Sequence, residues 1–194
     1  LTLHDKHIRE AGQWVPVVEN FIVDGTEGYA LKAAARCRHQ LRLKNDGARL
    51  WFPRNDVLGE FVILGKPEGW NGLSWVAPIL PSPTRAGNRI SWDTPNWGMT
   101  LDWTWRQCKI AVILKVTGVT RIRWPVSLTG LTRTGSYLVG AGGVRAAHLA
   151  RPTATDALGN DVPVTVAVSG GYITLSLNVA GATYPITIDP TFTS

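Results

Sequence analysis

The sequence predicts an all-β protein, an antiparallel β-sandwich of jelly-roll or immunoglobulin-like type with little helix. Three observations carry this. Apolar residues recur with a period of two instead of the helical 3.6. The 20 Gly and 12 Pro interrupt those runs at intervals of about eight to twelve residues, the spacing of sandwich strands. Charged residues are only 18% of the chain, below the roughly 25% of an average soluble domain. That balance excludes intrinsic disorder, which requires few apolar and many charged residues. The best glycine-free apolar run, Ile110–Leu114, is far shorter than the roughly 18 residues of a membrane-spanning helix. With 194 residues, one domain over 1–194 is expected, residues 1–12 forming an N-terminal arm.

Taken in order, Trp14–Val23 is the first strand candidate. Leu31–Lys44 opens on Ala33-Ala34-Ala35, which favours helix. From Arg36 onward, Cys37, His39, Leu41 and Leu43 alternate with Arg36, Arg38, Gln40, Arg42 and Lys44, which predicts strand. Asp46-Gly47 between Leu41–Asn45 and Ala48–Phe52 predicts a hairpin. Phe61–Leu64, Leu73–Val76 and Arg89–Trp92 follow as strands, and Pro78, Pro81 and Pro83 mark a connection that no central strand accommodates. Leu101, Trp103 and Trp105 alternate with Asp102, Thr104 and Arg106. The strongest strand is Gln107–Val116, with Cys108, Ile110, Val112, Leu114 and Val116 on one face. Arg121–Leu128, Tyr137–Val139, Arg145–Leu149 and Ile186–Ile188 are further strands. Val162–Val168 and Tyr172–Val179, joined through Ser169-Gly170-Gly171, form a hairpin.

The net charge of +6 is unevenly placed. Arg36, Arg38, Arg42 and Lys44 share one strand face, where neighbours sit about 6.6–6.8 Å apart. Between Asp102 and Asp156 no acidic residue interrupts Arg106, Lys109, Lys115, Arg121, Arg123, Arg133, Arg145 and Arg151. These charges fit solvated strand faces, edges guarded against aggregation, or a partner with an acidic surface. The spacing also suits a polyanion, but no nucleic-acid-binding motif accompanies it, so nucleic acid is not the expected partner.

Nine Trp are unusual for this length. Trp103 and Trp105 are expected in the core with Leu101. Trp70, Trp75 and Trp97 lie near Gly and Asn in expected loops, where a Trp anchors an interface or stacks on a sugar. Catalytic and metal signals are weak. His4 and His7 lack the glutamate of a zinc protease, and Asp156–Asp161 lacks the residue order of a calcium loop and reads as a polar turn. Asp93 and Asp102 would serve a glycosidase only if the fold brought them together. No cofactor, metal or catalytic site is therefore expected. Cys37 and Cys108 are either free or paired with each other.

The C-terminal part resembles a known group. Ala147-His148-Leu149-Ala150-Arg151-Pro152, then Thr155-Asp156-Ala157-Leu158-Gly159-Asn160, then Ala182-Thr183-Tyr184-Pro185-Ile186-Thr187-Ile188-Asp189-Pro190-Thr191 are similar to the end of a β-rich domain of phage and prophage virion proteins and of some large bacterial surface proteins. Asn88–Trp92, Pro95-Asn96-Trp97 and Lys109–Lys115 resemble that group more loosely. Leu1–Arg85 resembles nothing known. The resemblance implies a non-enzymatic virion structural protein, a capsid decoration or cement subunit or a tail-associated one, placed on the particle exterior. It would be a homo-oligomer acting through contacts with other virion proteins, with Arg36, Arg38, Arg42, Lys44, Arg121, Arg123, Trp70, Trp75 and Trp97 as candidate interface residues. In a bacterial surface protein the same domain would be extracellular. The alternative is a carbohydrate-binding β-sandwich module using exposed Trp.

Overall fold

The computed structural model describes residues 7–16, 21–23, 31–33, 42–43, 50–51, 61–104 and 107–193. The first strands, β1 (His7–Glu10), β2 (Gln13–Pro16), β3 (Phe21–Val23), β4 (Leu31–Ala33) and β5 (Arg42–Leu43), make two small sheets. Then come β6 (Leu50–Trp51), β7 (Phe61–Leu64), β8 (Glu68–Trp70), β9 (Trp75–Val76), β10 (Thr84–Ala86), β11 (Arg89–Asp93), β12 (Trp97–Trp103) and β13 (Gln107–Leu114). The remainder is β14 (Arg121–Thr129), β15 (Thr132–Thr134), β16 (Tyr137–Val139), β17 (Arg145–Leu149), β18 (Thr153–Thr155), β19 (Val164–Ser169), β20 (Tyr172–Leu177), β21 (Ile186–Asp189) and β22 (Thr191–Thr193). One short 3-10 turn, Ala141–Gly143, is the only helical element among the described residues. None of their helices is long and apolar enough to cross a membrane.

The expected all-β class is what the chain adopts. Ten strands run β10-β11-β12-β13-β22-β17-β16-β15, with β21 beside β13 and β18 beyond it. Seven more run β19-β20-β14-β7-β6, with β8 and β9 on the other flank of β14. All pairings are antiparallel. The alternation read from the sequence decides which residues go inside. Ile110, Val112 and Leu114 of the larger sheet, Ile122 and Trp124 of β14, and Ile173, Leu175 and Leu177 of β20 enter one shared apolar cluster. Two sheets that bury their inner faces against each other make a sandwich.

β14 changes neighbour midway. Arg121–Arg123 pair with β8, Val126–Thr129 pair with β7, and Pro125 stands at the changeover, where a residue without an N–H interrupts no ladder. Gly65 donates its N–H to the Pro125 carbonyl at 2.6 Å. A Cβ on Gly65 would lie 3.0 Å from the Pro125 ring, so the approach depends on glycine.

Several expectations are corrected. The Asp46-Gly47 turn itself lies outside the described residues; of its flanking strands, β5 pairs with β4 and β6 with β7. Residues 31–33 are strand instead of the start of an Ala-rich helix. Within Trp14–Val23 two separate strands, β2 and β3, belong to different sheets. Part of the expected N-terminal arm is a hairpin, β1 against β2, turning through Ala11-Gly12 at φ 47° and 85°. Cys37, His4, His39, Trp105 and Arg106 lie outside the described residues, as does the side chain of Cys108.

Candidate functional site

The β8–β9 hairpin and the connection after it divide one side of the molecule into two adjoining surfaces. Register places Trp70 opposite Trp75 and Gly69 opposite Val76. Because side chains alternate along a strand, the two Trp face one way and Gly69 with Val76 the other.

On the Trp side, Trp70 and Trp75 meet at a centroid separation of 5.5 Å with planes tilted by 59°. Arg123 is threaded between Trp75 and Tyr172, its guanidinium carbon 4.2 and 4.1 Å from the two ring centroids. Its Nε–H donates to Glu68 at 2.6 Å, across the β8–β14 pair where the two residues are directly opposite. A guanidinium held flat between two rings gains cation–π attraction with both and is fixed in orientation. Arg121, two residues earlier on the same face and opposite Trp70, is exposed and makes no ion pair among the described residues. It is the uncommitted cation of this face.

On the other side lies a groove of about 460 Å³, lined by Gly69, Val76, Ile79, Thr94, Asn96 and Trp97 among others. Its rim is apolar and uncovered at Ile79 and Val76, 91% and 50% exposed, and Leu73 in the adjoining hairpin turn is 89% exposed. Leu73 is held at the hairpin tip by Asn71, whose Oδ1 accepts the N–H groups of Leu73 and Ser74 at 3.0 and 2.9 Å, an Asx-type turn. The far wall is stiffened by Thr94. Its hydroxyl donates to the Trp97 carbonyl and accepts from the Trp97 N–H, both at 2.9 Å. Lys115 ties the same turn down, donating to Asp93 at 2.5 Å and to the Thr94 carbonyl at 2.9 Å.

The candidate residues therefore separate into groups. Trp70, Trp75, Arg121 and Arg123 come together on one face. Trp97, expected in a loop and exposed, is the first residue of β12 and only 8% exposed. The reason is Gly69: a Cβ there would stand 2.5 Å from Trp97 Cζ2, so the indole packs against bare backbone. Gly69→Ala is expected to cost about 1–3 kcal/mol through overpacking, read as a lowered denaturant midpoint with an unchanged slope. Arg36, Arg38 and Lys44 lie outside the described residues, and Arg42 falls in β5 with its side chain outside them. Glu68 and Tyr172, which complete the Arg123 clamp, were missed. Tyr172 carried a signal, since the alternation of the last hairpin sends it outward.

Among the described residues, three of the eight cations of the long basic tract pair with carboxylates outside it. Lys109 pairs with Asp189, Lys115 with Asp93 and Arg123 with Glu68. Asp93 and Asp102 do not converge. They sit at opposite ends of the β11–β12 pairing, opposite Gly98 and Arg89, about 13 Å apart along the strands, beyond the roughly 5–9.5 Å of glycosidase pairs. Asp102 is engaged by Arg89 through two hydrogen bonds of 2.6 and 2.9 Å.

The Asp156 turn is a structural joint. Asp156 is buried. Its Oδ1 accepts the N–H groups of Leu158 and Asn160 at 2.9 and 2.8 Å, and its Oδ2 accepts the Asn160 side-chain amide and the Thr183 N–H, each at 3.2 Å. The loops around Asp156 and around Thr183 are thus bolted to each other. Desolvation pushes the Asp156 carboxyl up, but the hydrogen bonds from Asn160, Thr183 and Leu158 outweigh it and hold the pKa below the usual carboxylate range. No group of three or more potential metal ligands occurs among the described residues. Compared with family models, curated proteins and solved structures, the chain has no match.

Proposed function

We propose that this chain is a non-enzymatic structural protein of a phage virion, a capsid decoration or cement subunit or a tail-associated subunit, working through contacts with other virion proteins on the particle exterior. One observation carries the contact-making part: Val76 and Ile79 stand uncovered around an apolar groove, and Leu73 is exposed at the tip of the adjoining hairpin. Burying each such side chain is worth on the order of 1.5–3 kcal/mol, and contiguous exposed apolar surface marks interaction sites. Arg121, on the other face of the hairpin, favours an acidic region on the partner. The virion context rests on the resemblance of residues 147–191, whose motif residues here serve the fold: Asp156 joins two loops, and Ile186 and Ile188 are fully buried.

The test is co-sedimentation of the purified protein with particles produced from the genome that encodes it. Native protein is expected to bind, and Leu73→Asp and Ile79→Asp each to weaken binding by about 30-fold or more with unchanged melting temperature, since both side chains are solvated. Native protein that ignores the particle, or variants that bind as well as native, would reject the reading. Sugar stacking is the weaker reading, because Trp97 is buried and Arg123 already covers a face of Trp75. A glycan array with Trp70→Ala and Trp75→Ala decides it.

A further inference from the structure

The sheets end in strands of contrasting design. β10 and β15 terminate the ten-stranded sheet. Each has three residues, all exposed, with an arginine at the centre, Arg85 and Arg133. Short, charged edges resist pairing with other chains. β19 ends the seven-stranded sheet and pairs only with β20 among the described residues. It has six residues, Val164-Thr165-Val166-Ala167-Val168-Ser169, without charge or proline. Its inner face is a row of half-buried valines packed against the core, and its outer face is Thr165, Ala167 and Ser169.

The direction of its backbone groups is fixed. The Pro163 carbonyl accepts from Asn178 N–H on the β20 side at 2.9 Å, and Ser169 and Tyr172 close a two-residue turn. Odd-numbered residues therefore direct their N–H and C=O toward β20, and by alternation Val164, Val166 and Val168 direct theirs away, to the open edge.

From these features we infer that β19 is a self-pairing edge, and that its occupant is β19 of a second copy of this chain, joined antiparallel about a two-fold axis at Val166. In that register Val166 faces Val166 of the second copy, and Val164 faces its Val168. About six backbone hydrogen bonds form between groups that already point outward. The valine rows of the two molecules become continuous on the inner face, and Thr165 meets Ala167 of the second copy on the outer face. The pairing is isologous, so the strand must be compatible with itself. A strand with no charge sets no like charges opposite each other, and it offers nothing to select a charged foreign segment. Six residues bury less than the roughly 1,200 Å² of stable interfaces, so the dimer is concentration-dependent, with a dissociation constant on the order of 10–100 μM. This inference is independent of particle docking through Leu73 and Ile79.

Sedimentation velocity from 1 to 500 μM tests it, together with hydrogen exchange at both ends of that range. Native protein is expected to pass from monomer to dimer, with protection rising at the amides of Val164, Val166 and Val168. Val166→Pro deletes an outward N–H and blocks the edge without removing a β19–β20 hydrogen bond. Ala167→Lys adds the guard charge that β10 and β15 carry. Both are expected to remain monomeric at the highest concentration, and Ala167→Lys supplies the answer if Val166→Pro fails to fold. A native protein monomeric at 500 μM overturns the inference. So does a dimer that Ala167→Lys leaves intact, or one whose protection appears elsewhere.

Discussion

Trp92→Ala should lower stability by about 3–5 kcal/mol, on the order of 10 °C in Tm for a chain of this length. Trp92 is 1% exposed in β11, opposite Met99 at the heart of the larger sheet's inner face. Removing its ring opens a cavity that two sheets cannot collapse around without breaking ladders. Trp92→Phe should cost about 1 kcal/mol or less. The indole Nε1 is buried with no hydrogen-bond partner among the described residues, a desolvation cost of about 1–3 kcal/mol, and phenylalanine removes that donor while keeping most of the ring. Urea unfolding of the two variants checks the pair. A Phe variant as unstable as the Ala variant would mean the donor carries no such cost.

Asp156→Ala should lower Tm by several degrees and steepen the loss of structure in the two loops it joins. Four donors converge on that carboxylate, and truncation leaves buried N–H groups of two loops unpaired. The pH dependence follows from the lowered pKa. The folded state holds the proton less tightly than the unfolded chain, so the stabilisation is complete above the unfolded pKa and disappears as pH falls through the folded one. An acid limb below about pH 4 is the expected result in the native protein. Asp156→Asn keeps one acceptor oxygen and removes the titration, so its stability should be flatter there. Thermal melts at pH 2.5, 3.5, 4.5 and 7 measure both, and an Asn variant with the native acid limb would exclude Asp156 as its source.

What the sequence made legible is what short range decides. Alternation placed Ile110, Val112 and Leu114 inside, and the Gly170-Gly171 turn placed β19 against β20. Partners far apart in sequence were not legible. Nothing local couples Glu68 to Arg123, 55 residues on, or Asp156 to Thr183, 27 on. Trp97 looked like a loop residue because its burial depends on the missing side chain of Gly69. The Arg121–Arg123 face was half legible: the two arginines were in view, their aromatic clamp was not.

The placement of β21 and β22 bears on how the molecule is made. They lie in mid-sheet, between β13 on one flank and β18 and β17 on the other, although they follow all those strands in the chain. Until Ile186–Thr193 has left the ribosome, β13 has one flank open and β17 and β18 have no neighbour on that side. The large sheet is therefore completed only once these late strands have emerged and inserted between earlier ones. Contacts this distant in sequence close slowly, so chaperone dependence and sensitivity to growth temperature should be greatest during that interval.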